Sequence, residues 1–271
     1  MKTPLLCIAI AALALLAAPQ VHGQDDAQII NLPISRPGEP ITLEISIISA
    51  YIEVIGEDRQ DAEFAVSVEN GSRKIVTPSG TRPLKAGAYS FQVDEQDNHI
   101  SVDTDWRANK VKIIARIPLK ADLELSTTND GEIVVRNITG TLQLENTNGP
   151  ITASNISGSV IAESVNKDID ISFAKIDSST AMSFSSVNGN LTLGLPDKAG
   201  VQLHIDSARG EIVSDFEVDV QPSKPVIQRD NNRGGVEVKV ESVIVANVNG
   251  GGSIIKLKTL NGDIHIKKSG S

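Results

Sequence analysis

Cysteine is almost absent from this chain of 271 residues: the single one, Cys7, lies in an apolar N-terminal stretch. A fold held together by disulfides is therefore excluded, and packing must stabilise it. Aromatic residues are also scarce, with one Trp, two Tyr and five Phe. Because sugar sites stack aromatic rings on pyranose faces and protein hot spots favour Trp and Tyr, the chain has little material for either.

Positive charge is in short supply, since 25 Lys and Arg stand against 34 Asp and Glu, for a formal net charge of −9. This balance argues against nucleic acid or anionic lipid as a partner. Zinc-ligand spacing, a phosphate loop, a dinucleotide fingerprint and a Gly-x-Ser-x-Gly elbow are all missing from the sequence. We therefore expect no cofactor, no bound metal and no catalytic residue. His99, His204 and His265 each lie in a separate predicted strand.

The N-terminus, residues 1–23, has the pattern of a secretory signal peptide: Lys2, then an apolar run, then small residues at Val21 and Gly23. Residues 24–40 are polar and proline-rich, which indicates a flexible leader. No later apolar run reaches the roughly 20 residues that a membrane-spanning helix needs, so we expect no such segment in the mature chain. The expected location is the periplasm, the cell surface or the medium, of a Gram-negative bacterium.

From Ile41 onward the sequence alternates apolar and polar residues, as half-buried strands do, and no amphipathic helix is apparent. We expect a single β domain over 41–268. Its clearest repeats span 110–215. Two parts depart from the pattern, a Gly/Pro/Ser-rich loop at 70–87 and an irregular connection at 216–235.

The repeats share a turn slot and a set of apolar slots. The turn slot holds Gly131, Gly149, Lys167, Gly189 and Gly210, at steps of 18, 18, 22 and 21 residues, and Gly262 lies in a similar turn. We expect these glycines to adopt positive φ at corners. The predicted core residues are Ile133, Ile151, Ile169, Leu191, Ile138, Ile156 and Ile176. Self-similarity at this period predicts an all-β stack of short strands, a β-solenoid or parallel β-helix.

Three segments carry a family resemblance: "TTNDGEIVVRNITGTLQLENTNGPI", "VNGNLTLGLPDKAGVQLHIDSARGEIVSDF" and "GGGSIIKLKTLNGDIHIKK". They resemble a bacterial exported β-strand-repeat family called putative adhesin, a domain of unknown function. The resemblance covers about 41–268. It implies an exported β-solenoid-like protein with no established activity, in which adhesion is a role by analogy.

Two pairs of carboxylates are candidate surface sites. Asp168 and Asp170 flank Ile169 and face outward, where they would serve an acid–base pair or bind a metal. The equivalent slots of neighbouring repeats hold no basic residue. Glu145 and Glu163 occupy one outward slot on adjacent repeats, where they would repel or share a cation. The simpler interpretation of both pairs is a solvated outer face.

Four Asn-x-Ser/Thr sequons, at Asn70, Asn137, Asn155 and Asn190, are interpreted as residues that suit the corners of the repeats rather than as glycan acceptors.

The sequence leaves three functions open. The first is a non-enzymatic envelope protein with an adhesive or structural role, whose protein or glycan partner is unknown and which self-associates through open solenoid ends. The alternatives are a carbohydrate-active β-helix enzyme and a periplasmic regulatory or sensing partner.

Overall fold

The computed structural model describes residues 27–68, 91–104, 110–176, 181–221, 226–230, 235–239 and 243–269. Within these ranges the secondary structure is all strand and turn, which confirms the all-β prediction. Twenty strands join in one sheet, and two further strands form a separate hairpin. The expected signal peptide and the 70–87 loop lie outside the described residues.

The strands are short, and turns connect them in close succession. The first eleven strands are β1 (Gln28–Pro33), β2 (Ile41–Ile47), β3 (Ala50–Glu57), β4 (Asp61–Val68), β5 (Phe91–Gln96), β6 (His99–Thr104), β7 (Val111–Pro118), β8 (Ala121–Thr127), β9 (Glu132–Arg136), β10 (Thr139–Asn146) and β11 (Ile151–Ser164). The remaining strands are β12 (Ile169–Lys175), β13 (Met182–Ser186), β14 (Leu191–Leu195), β15 (Val201–Ser207), β16 (Ile212–Ser214), β17 (Val218–Gln221), β18 (Val226–Asp230), β19 (Gly235–Lys239), β20 (Ile244–Val248), β21 (Ser253–Thr259) and β22 (Ile264–Lys268).

Most of these strands pair in parallel and form two ladders. Ladder 1 contains, in spatial order, β6, β2, β8, β10, the second half of β11, β13, β21 and β15. Ladder 2 contains β7, β3, β9, the first half of β11, β12, β14, β22 and β16. We call two consecutive strand segments, one in ladder 1 and the next in ladder 2, a coil; β13–β14 is an example. Neighbouring coils lie one strand spacing, about 4.8 Å, apart.

Antiparallel strands extend three of the four ladder ends. Strand β5 pairs with β6 at one end of ladder 1, and β20 and β17 follow β15 at the other. Strands β4 and β1 follow β7 in ladder 2. Strand β1 comes from the expected leader, so part of that segment is ordered by pairing. The expected irregular connection at 216–235 likewise contributes β17 and most of the β18–β19 hairpin.

The spatial order of the coils departs from their order in the chain at two places. Coil β2–β3 lies between β6–β7 and β8–β9, although it precedes both in sequence. Coil β21–β22, which is C-terminal, lies between β13–β14 and β15–β16. The chain therefore leaves one coil position open after Leu195 and fills it from its own C-terminal end.

The core is a set of apolar columns between the two ladders, because alternate side chains of every strand point inward. Ile133, Ile151, Ile169 and Leu191 are register partners, and each is at most 1% exposed. The column continues through Ile264 to the exposed Ile212.

A bulge near the middle of β11 displaces one predicted core residue. Ile138 and Ile156 are fully buried, but the register partner of Ile156 is Phe173. Ile176, which the sequence assigned to this column, is only partly buried. The register of β11 against β12 shifts between Ala153 and Ser157, so the larger ring takes the inward position.

The turn-slot glycines are required by close packing between coils rather than by a left-handed backbone. A Cβ at Gly149 would overlap the carbonyl oxygen of Gly131, and Gly262 lies against the carbonyl of Gly189 in the same way. None of the five predicted turn glycines has positive φ, which corrects the expected reason for their use. Positive φ occurs instead at the corner residues Asn137 (58°) and Asn155 (56°).

A buried polar column runs beside the glycine slot and satisfies its backbone groups. Asn146 donates to the carbonyl of Gly131 (3.1 Å) and accepts from the N–H of Gly149 (2.9 Å). Thr259 donates to the carbonyl of Gly189 at 3.0 Å. Thr127, Asn146, Ser164, Ser186 and Thr259 are all 5% exposed or less. Because unpaired buried polar groups are costly, this column fixes the turn geometry of each coil.

The glycine slot generates the first prediction. Gly149→Ala forces a methyl group against a backbone oxygen, so we expect a loss of about 1–3 kcal/mol in the free energy of unfolding. Lys167→Ala is the matched control, because Lys167 occupies the same slot with a Cβ already in place. Thermal and denaturant unfolding measure both. A Gly149→Ala variant as stable as Lys167→Ala would contradict the close packing of these turns.

Candidate functional site on the outer faces of the ladders

Asp168, the first candidate carboxylate, is part of a column of side chains that join one coil to the next. Its Oδ1 accepts the backbone N–H of Asn190 at 2.7 Å. The side chain of Asn190 in turn accepts the N–H of Asp263 (2.8 Å), and Asp263 accepts the N–H of Glu211 (2.8 Å). The same device holds four successive coils together. The Asp168 carboxylate is therefore engaged by backbone of the neighbouring coil.

Asp170, the second candidate, forms an ion pair that the sequence did not reveal. Lys267 places Nζ 3.2 Å from Asp170 Oδ2. The lysine reaches across Gly194, its register partner, which has no side chain to obstruct it. Nearby, His265 Nε2 lies 3.3 Å from Asp215 Oδ1. The expectation of no basic residue at this level was wrong, because β22 comes from the C-terminal end of the chain.

Two contacts on this face thus bring together groups from distant parts of the sequence. Thr192 is the register partner of both Asp170 and His265, so it lies between them. The side chains of Asp170 and Lys267 are 45% and 31% exposed. Ion pairs of this exposure contribute about 0–1 kcal/mol each. The cluster is a paired, open surface rather than a recess that would exclude water from a reaction.

Glu145 and Glu163 are register partners on ladder 1, as the sequence predicts. Both are exposed, and Gln143 donates to Glu145 at 3.1 Å. Glu44 and Glu124 are register partners in the column that contains Gln143. We call Glu44, Glu124, Glu145 and Glu163 the acidic patch. Three of its members, Glu44, Glu124 and Glu145, line a shallow depression in the outer face of ladder 1.

The described part of the chain brings no three His, Cys, Asp or Glu side chains into a group that could hold a metal ion. The three histidines within the described ranges lie on three different strands. His99 Nε2 lies 3.5 Å from Glu44 Oε2, and His204 Nε2 lies 3.1 Å from Gln202 Oε1. In the same described ranges, no helix is long and apolar enough to cross a membrane.

An asparagine ladder runs along one edge of the stack and was not predicted. Asn166 donates to Asn148 Oδ1 (2.7 Å), Asn188 to Asn166 (3.0 Å) and Asn261 to Asn188 (2.8 Å). Asn155 donates to Asn137 at 2.8 Å at another corner, which gives these two sequon residues a structural role. The Asn that precedes Gly149, Lys167, Gly189 and Gly262 was the signal in the sequence. Asn70 lies outside the described residues.

Tyr51 is the one outer-face group with a large pKa shift among the described residues. Partial burial, the charge of Glu53 and the hydrogen bond to Glu53 Oε2 (3.1 Å) together raise the pKa of Tyr51 to about 12. Lys112 lies over the ring at 5.4 Å from its centroid. The raised pKa keeps the phenol of Tyr51 protonated, so its hydroxyl remains a hydrogen-bond donor to Glu53.

Comparison with known proteins identifies two solved structures of similar chains. One is a putative cell adhesion protein from Clostridium sporogenes, with 12% identity, a TM-score of 0.46 and coverage of 90% of this chain and 100% of that one. The other is a putative adhesin from Parabacteroides distasonis, with 10% identity, a TM-score of 0.30 and coverage of 89% and 98%. Their names agree with the family that the sequence resembles. No family model and no curated protein matches the chain.

The engagement of Asp168 generates the second prediction. Asp168→Ala leaves the N–H of Asn190 without its acceptor and should cost about 1 kcal/mol in unfolding free energy. Asp168→Asn keeps an acceptor oxygen and should lose less. Asp170→Ala removes only an exposed ion pair and should change stability by about 0–1 kcal/mol. Denaturant unfolding of the three variants ranks them. A ranking with Asp170→Ala as the most damaging change would show that the ion pair, not the turn, holds these coils.

Proposed function

We propose that this chain is a non-enzymatic, exported envelope protein whose β-solenoid scaffold presents flat polar faces for contact with other surfaces. The observation that carries the proposal is the bonding of outward side chains to one another across coils, as in the asparagine ladder and the Asp168–Asn190–Asp263 column. These side chains are already ordered. Contact with a partner therefore costs less side-chain entropy than it would on an ordinary surface.

The chemistry of the faces indicates what kind of contact they make. The outward positions hold mainly Ser, Thr, Asn, Asp and Glu, and few aromatic residues are available to act as anchors. Such surfaces bind through many weak, wet polar contacts spread over a large area. We infer an adhesive or structural role in which repeated low-affinity contacts add up along the stack, with an envelope protein or a glycan as the partner.

A second candidate is a carbohydrate-active enzyme, which the cluster of Asp170, Lys267, His265 and Asp215 favours. A carboxylate, an amine and an imidazole on one sheet face provide the groups for acid–base chemistry on a polysaccharide. The openness of that cluster and the existing partners of its members count against this role. Reducing ends or unsaturated products released from polyuronates by the purified protein, and lost in Asp170→Asn, would establish the enzyme and overturn the first proposal.

The third prediction concerns location. Intact cells of the native host are treated with a protease that cannot cross the outer membrane, and the chain is detected by blotting beside a known periplasmic protein. We expect digestion of this chain while the periplasmic control stays intact, because an adhesive face must be exposed at the surface. Protection, with release by osmotic shock, would contradict adhesion and favour the periplasmic partner role.

A further inference from the structure

The C-terminal coil β21–β22 occupies a position that the rest of the chain leaves open. In ladder 1, Leu257 is paired with Phe184 on one side and Ile205 on the other. In ladder 2, Ile264 is paired with Leu191 and Ile212. Earlier in the chain, residues 196–200 connect β14 to β15 and so lead directly from coil β13–β14 to coil β15–β16. This connection therefore crosses two strand spacings, about 9.6 Å, and leaves a slot for one coil.

The slot offers strong, specific binding to whatever fills it. Ile255, Leu257, Ile264 and Ile266 of the inserted coil are at most 1% exposed, so the slot is lined by core side chains. Both neighbours of each inserted strand also pair with its backbone: β15 and β14 pair with all of β21 and β22, and β13 and β16 pair with part of them. An unfilled slot would expose four strand edges and the apolar columns beneath them, which is a costly state. The slot is therefore filled whenever a segment of the right sequence is available.

The connection to this coil is suited to a change of direction. The coil follows β20 through Asn249, Gly250 and Gly251, whose φ values are 48°, 83° and 86°. A Cβ at Gly250 would meet no atom within 4 Å, so only its backbone conformation constrains that position. Three successive left-handed residues make the tight turn that returns the coil to its own stack. An extended connection would carry the same coil away from it.

We propose that the C-terminal coil, residues 253–268, exchanges between copies of this chain, so that one molecule's β21–β22 fills the slot of a second molecule. The exchange preserves every contact of the coil and changes only the connection at 249–252. Exchange of an identical terminal element is a low-cost route to dimers, and reciprocal or chain-like exchange would join copies without any new interface. The inference goes beyond the proposed surface contact and does not depend on where the protein is located.

The connection at 249–252, which is the hinge of the exchange, can be strained without changing any residue that lines the slot. Gly250→Ala strains the tight turn because an L-residue rarely adopts φ of 83°, and an extended connection removes that strain. The matched control is Gly38→Ala: Gly38 has φ of 88°, and a Cβ there also meets nothing within 4 Å. Both variants lose similar backbone free energy, but only Gly250 lies in the hinge. Gly250→Ala should therefore raise the dimer fraction several-fold after refolding at high concentration, measured by size-exclusion chromatography with light scattering.

Disulfide trapping with the native hinge gives a second, independent measurement. Ser183 and Lys256 are outward register partners on β13 and β21, within the Cα distance that a disulfide needs. Cys7, the single cysteine, is replaced by Ser, and Ser183→Cys chains are refolded together with Lys256→Cys chains. Because each chain carries one thiol, this disulfide forms only between exchanged copies. The control mixture pairs Ser183→Cys with Ser126→Cys, which lies on β8 and is not a register partner.

We expect the Ser183/Lys256 mixture to give several-fold more disulfide-linked dimer than the control mixture, and Gly250→Ala to increase it further. Equal yields in the two mixtures, together with Gly250→Ala as monomeric as Gly38→Ala, would overturn the proposal. Dimers that form equally in Gly250→Ala and Gly38→Ala without the specific disulfide would also overturn it, because they indicate association through the open ends.

Discussion

Parallel, in-register pairing between coils is the constraint on which the rest of this structure depends. Because coils lie one strand spacing apart, equivalent side chains of successive coils lie about 4.8 Å from one another and must interact favourably at that distance. Apolar columns meet this requirement in the core, where Ile151 lies between its register partners Ile133 and Ile169. Asparagine satisfies it outside, because an amide both donates and accepts. Glycine meets it at the turns, where the backbone of the turn-slot glycines lies against the carbonyl of the neighbouring coil.

The same constraint shapes the outer faces and hence the function that we propose. A carboxylate such as Asp168 is held by a backbone N–H of the next coil, and Asp170 is held by a lysine from a distant part of the chain. These two interactions join neighbouring coils and hold both carboxylates in fixed positions. A surface built in this way is rigid and extended, which suits weak contacts repeated along its length better than one deep site.

Much of the stack was predictable from sequence, because alternation and period determine which residues share a slot. Column membership of Ile133, Ile151, Ile169 and Leu191 follows from that alone. The order of the coils does not, since self-similar repeats identify equivalent positions but not neighbours. Consequently Ile264 was missed between Leu191 and Ile212, and with it the Lys267–Asp170 pair. The bulge in β11 and the carbonyl contacts of the turn glycines depend on local geometry that no repeat pattern contains.

The stacking order of the coils is tested most directly by identifying the coil that lies beside β14. With Cys7 replaced by Ser, Thr192→Cys is combined with His265→Cys, its register partner on β22, or with Val213→Cys on β16. We expect rapid intramolecular disulfide formation for Thr192/His265, which lie about one strand spacing apart. We expect none for Thr192/Val213, which lie two spacings apart. Efficient disulfide formation in Thr192/Val213, with none in Thr192/His265, would mean that the coils stack in chain order and that β22 does not lie between β14 and β16.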